Sequence, residues 1–122
     1  MSEGTADVIR GLVASLRNTA SLELRVAPTS GDYLEAVFSR QDLPKCFALL
    51  TESLGPPAKE FGKAGTFDQK AQGIVDGLGG MRLDQCLFLK PLPDGRSAYA
   101  ALWPWASDAT RVTIKIGTAP PP

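Results

Sequence analysis

Histidine is absent from all 122 residues. That removes the usual general base near neutral pH, the imidazole of serine and cysteine triads, and the commonest metal ligand. Any catalysis therefore falls to Asp, Glu, Lys, Tyr, Cys or backbone groups. Cysteine is almost as scarce. Cys46 and Cys86 stand far apart with no second Cys or His beside either, which excludes the spacing of a zinc knuckle or a C-x-x-C redox pair. They are expected as two buried thiols in a reduced compartment, with a disulfide between them as the competing reading. No metal and no cofactor is implied.

An excess of either charge is also missing, since 13 Lys plus Arg balance 13 Asp plus Glu. No net field draws the chain to a phosphate backbone or an anionic membrane surface. Basic clusters are lacking, and the aromatic strand residues have no interleaved Arg or Lys of the kind that nucleic-acid stacking platforms use. No stretch approaches the roughly 20 apolar residues of a membrane span, and Met1 to Gly4 do not begin a basic-then-apolar signal. The expectation is a cytoplasmic protein that binds neither nucleic acid nor membrane.

What is present suffices for one core: 43% of the residues are hydrophobic, so residues 1–122 read as a single domain with 1–4 and 117–122 as flexible tails. Residues 5–17 carry Val8, Ile9, Leu12, Val13 and Leu16 at helical spacing, with Thr5 as N-cap and Asn18 as a left-handed end. Residues 21–39 read as a β-hairpin. Leu22, Leu24 and Val26 alternate with Glu23 and Arg25, the turn falls at 28–32, and Tyr33 to Ser39 resumes the extended pattern.

A second helix over 42–54 starts at Asp42, takes Pro44 in its first turn, and puts Cys46 on its apolar stripe. Gly55, Pro56 and Pro57 open an irregular loop through Gly65. Thr66 and Gln69 match a capping box for a third helix ending near Gly79, in which Gly73 and Gly77 suggest close approach of another backbone. Three strands follow, at 86–89, 99–103 and 111–116, separated by turns at Pro93 to Gly95 and near Asp108. Cys86 to Leu89 is apolar without alternation, the mark of a strand covered on both faces. The order α-β-β-α-α-β-β-β predicts an α+β fold: a two-layer, largely antiparallel sheet of about five strands with three helices on one face.

Three places compete for function. The Gly/Lys loop before the third helix offers Lys59, Lys63 and Thr66 to a phosphate or small anion, against the reading of a solvated connector. It is a poor phosphate cradle, because Gly62 and Lys63 are followed by Ala64 and a helix rather than a strand precedes it. Trp103 and Trp105 flank Pro104 and project to the same side, as either an interaction hot spot or a core anchor. Arg25, Arg111 and Lys115, with Glu23, Glu35 and Thr113, form a wet sheet face that either carries surface ion pairs or receives a partner or a second copy. Asp76, Asp84, Asp94 and Asp108 have ordinary helix, strand and turn explanations. The leading expectation is a non-catalytic interaction or accessory domain, with homodimer formation open. The alternative is a small-molecule or phosphate-ligand binder or enzyme that uses the 59–66 loop.

Overall fold

The computed structural model describes residues 5–26, 33–63, 67, 69–78, 80–92 and 95–119, giving only the backbone at 5–8, 26, 70 and 119. Its elements run α1 (Thr5–Thr19), β1 (Glu23–Val26), β2 (Leu34–Ser39), a 3₁₀ turn (Arg40–Asp42), α2 (Leu43–Leu54), α3 (Gln69–Gly77), β3 (Cys86–Pro91), β4 (Ser97–Pro104) and β5 (Arg111–Ala119). The five strands form one sheet in the order β1-β2-β5-β4-β3, and every neighbouring pair is antiparallel. The α+β class, the strand count and the element order agree with the sequence reading.

Side-chain alternation divides the sheet into two faces. Leu34, Ala36 and Phe38 of β2, Val112, Ile114 and Ile116 of β5, Ala98, Ala100 and Leu102 of β4, and Cys86 and Phe88 of β3 join Ile9, Leu12, Val13 and Leu16 of α1 and Cys46, Leu50 and Leu54 of α2 in the main core. Phe47 sets its ring edge-on to Phe88 at 5.3 Å. The alanines at 98 and 100 let two helices lie close to the sheet's middle, while the aliphatic rows on β5 and β2 fill the space beside them.

The third helix departs from the expectation. Val75, with half-buried Ile74 and Leu78, packs against Leu87, Tyr99 and Ala101 on the opposite face. The reason lies in β3 and β4, which carry apolar residues at consecutive positions and so need cover on both sides. Among the described residues, α3 covers the β3–β4 half of this outer face and leaves the β2–β5 half open.

Other boundaries also move. Asn18 stays helical and α1 ends one residue later, where Thr19 Oγ1 donates to the Ser15 carbonyl at 2.8 Å. Asp42 precedes α2 without a side-chain cap, and Ser39 Oγ accepts from the Gln41 N–H instead. Strand β5 continues through residues 117–119, pairing with Ser97 to Tyr99, so these positions are strand rather than tail. Leu24, expected under cover, is 37% exposed on the edge strand, where the register shifts between Leu24 and Val26. A Cβ at Gly73 or Gly77 would meet nothing within 4 Å, so neither glycine admits another backbone. The 28–32 turn, Thr66 of the capping box, and Pro93 and Asp94 lie outside the described residues.

Position on the core predicts stability directly. Leu102→Ala removes a fully buried side chain and is expected to cost about 2–5 kcal/mol in urea unfolding. Leu83→Ala, at a residue 58% exposed, is expected to stay within about 0.5 kcal/mol of wild type.

Candidate interaction surface

The uncovered half of the outer face is assembled by alternation. Because Val112, Ile114 and Ile116 point to the helices, Arg111, Thr113 and Lys115 must point away. The same logic on β4 sends Leu102 inward and Trp103 outward. Ala101 stands opposite Lys115 and Trp103 opposite Thr113, so the short alanine side chain leaves Lys115 room to lie diagonally over the indole. Its Nζ sits 4.0 Å from the Trp103 ring centroid and 3.6 Å from Glu35 Oε1.

A second layer repeats this arrangement toward the edge. The Arg111 guanidinium lies 4.8 Å from the Trp105 ring centroid and pairs with Glu23. Arg25 approaches the same ring at 6.0 Å and the same carboxylate at 3.6 Å. Trp105 is fixed from below, with Nε1 donating to Thr113 Oγ1 at 2.8 Å and the backbone N–H donating to the Arg111 carbonyl at 3.0 Å. Tyr33 borders the patch and donates to Glu35 Oε1 at 3.3 Å. Trp103, Trp105, Arg25, Arg111 and Lys115 therefore come together on one face. Each cation–π contact or exposed ion pair contributes only about 0.2–1 kcal/mol, so a partner can rearrange them at small cost.

The Gly/Lys loop assembles differently. Lys59 is only 3% exposed, and its ammonium donates to the carbonyls of Glu60 at 3.0 Å, Leu83 at 2.9 Å and Gln85 at 2.5 Å. Its backbone pairs with Leu87, so the loop lies along the outer edge of β3. All three N–H donors of Lys59 are thus engaged within the fold. Lys63 is exposed and pairs with Glu60 at 2.7 Å, and its pKa is raised by that hydrogen bond. Thr66 lies outside the described residues.

The carboxylates have local roles: Asp76 accepts from Gln72, Asp84 pairs with Arg82, and Asp108 accepts from the Thr110 N–H and hydroxyl, which hold its pKa below the ordinary range. Burial pushes the Tyr33 phenol up to about 12, aided by the Glu35 charge, and also raises Tyr99. Both cysteines are free and buried. Burial lifts Cys46 to about 11, with a smaller push from Asp42, and lifts Cys86 to about 12 against the opposing charge of Lys59. The same desolvation lowers Lys59. Among the described residues, no group of three His, Cys, Asp or Glu side chains could hold a metal ion, and no helix is long and apolar enough to cross a membrane. No family model, curated protein or solved structure matches the chain.

The thiols yield a test with a definite sign. Their folded pKa values lie above the ordinary 9.0, so between that value and about 11 to 12 the unfolded chain releases protons that the folded chain keeps. The thiol contribution to stability is complete below pH 9.0 and is lost as pH rises through the folded values. Native protein at pH 8 is expected to resist a thiol reagent at both cysteines, with both reacting once urea is added. Rapid native labelling of either would contradict this burial.

Proposed function

We propose that the chain is a small, single-domain, non-catalytic interaction module of the reducing cytoplasm. Its working surface is the uncovered half of the outer face, and its first partner is a second copy of itself. The observation that carries this reading is the convergence of Trp103 and Trp105 with Arg25, Arg111 and Lys115 on the part of the sheet that α3 leaves open.

Tryptophan and arginine dominate binding hot spots because they combine a large desolvated area with directional polar contacts. Glu23 and Glu35 are interspersed among the three cations, so the patch is mixed in sign, which suits a protein surface better than a polyanion. A two-fold axis placed between the carboxylates and the cations of such a patch would set carboxylates of one copy against cations of the other. The phenols and thiols are held away from neutral-pH chemistry, which supports a binding rather than a catalytic role. Lys59 is spent inside the fold, so it is not available to a phosphate at the loop.

Sedimentation equilibrium tests the reading. A species of twice the 12.9 kDa chain mass is expected at tens of micromolar or above, roughly the range of a modest interface. The double variant Arg111→Glu, Lys115→Glu is expected to sediment as a folded monomer with an unchanged far-ultraviolet spectrum. A wild-type monomer at about 1 mM, or a variant that dimerises as well as wild type, would overturn self-association through this face.

A further inference from the structure

Trp103 has a second neighbour besides Lys115. A cleft of about 390 Å³ opens where α3 ends, lined by Leu78, Gly80, Met81, Arg82, Gln85 and Trp103. That volume lies in the range of small-molecule sites. Leu78 and Met81 are half-buried and, like Trp103, pack against the cluster of Val75, Leu87, Tyr99 and Ala101, giving the cleft an apolar wall. The Trp103 indole Nε1 is buried and has no hydrogen-bond partner among the described residues. Such a donor left unmatched carries its full desolvation cost, which an acceptor brought by a ligand would recover. Trp105 shows the contrast, since its Nε1 is already satisfied by Thr113.

Arg82 adds a charge to the same lining. Its Nε lies 3.7 Å from Asp84 Oδ1, and its side chain is 69% exposed, so the guanidinium remains open to solvent and to an anion. At the helix end the Ile74 and Val75 carbonyls already accept from the Leu78 and Gly80 N–H groups. Gly80 to Arg82 lie outside any helix or strand, and because Nε1 is buried a ligand reaches it only by displacing this wall.

We propose that the cleft binds a small monocarboxylic acid with a flat apolar body, the carboxylate accepting from Trp103 Nε1 and pairing with Arg82 while the body lies on Leu78 and Met81. The two tryptophans give two indole N–H signals in a ¹H–¹⁵N spectrum, assigned with Trp103→Phe, and phenylacetate and phenylacetamide serve as probes. Phenylacetate is expected to move the Trp103 signal to saturation with a Kd of about 1 mM or tighter, with the Trp105 signal moving far less. Arg82→Ala is expected to weaken phenylacetate binding about tenfold and phenylacetamide binding less than about twofold. A Trp103 signal unmoved by about 10 mM phenylacetate, or acid and amide affinities equally insensitive to Arg82, would overturn the proposal. Trp103 also belongs to the sheet face, so the titration is repeated on the Arg111→Glu, Lys115→Glu variant, and the acid-to-amide comparison at Arg82, which lies off that face, reads the cleft separately from self-association.

Discussion

Burial of Val112, Ile114 and Ile116, each 0% exposed, is the constraint on which the rest of the structure depends. Strand β5 sits in the middle of the sheet with β2 on one side and β4 on the other. Side chains repeat every two residues along a strand, so fixing those three toward the helices fixes Arg111, Thr113 and Lys115 toward the opposite side. Slipping the register by one residue would bury two cations and expose three aliphatic residues. Neighbouring strands inherit the same polarity through cross-strand pairing. Leu102 and Phe38 face inward because their partners on β5, Ile114 and Val112, do.

The outer face follows from unequal coverage. β3 and β4 carry apolar residues on both sides and recruit α3, whereas β2 and β5 present Glu35, Thr113 and Lys115, which among the described residues lie with two indoles rather than beneath a helix. Lys59 is a structural counterpart at the other end of the sheet. Its ammonium gathers three carbonyls and ties the loop after α2 to the turn before β3, which covers part of an otherwise bare sheet edge. Gly117 belongs to the same face, where a Cβ would come within 2.7 Å of the Tyr99 hydroxyl. Its lack of a side chain makes room for the two tyrosines beside the patch.

Periodicity made much of this legible beforehand. The alternation of β5, the apolar run of β3 and the helical stripe through Cys46 and Leu50 each have a direct physical reading, and each occupies the expected element. The side assigned to α3 was not legible, because apolar residues on both faces of β3 show that two covers are needed without showing which helix supplies the second. The inward turn of Lys59 was hidden for a different reason: a lysine in a Gly-rich loop carries no local sign that the carbonyls of Leu83 and Gln85, from a distant turn, will meet it. The tryptophan pair was placed on one side by its spacing, but which side depended on long-range pairing with β5. The unmatched indole N–H of Trp103 had no signal in the sequence at all, since it arises from how α3 and the 80–85 segment end around the ring.

The proposed function rests on the same polarity, because the aromatic and cationic side chains could reach a partner only if β5 faces as described. Nuclear Overhauser contacts from the Ile114 methyl groups measure that orientation most directly. The account predicts contacts to methyl groups of α1 and α2 in the main core and none to the ring protons of Trp105. Strong contacts from Ile114 to the Trp105 ring, with none to either helix, would contradict it.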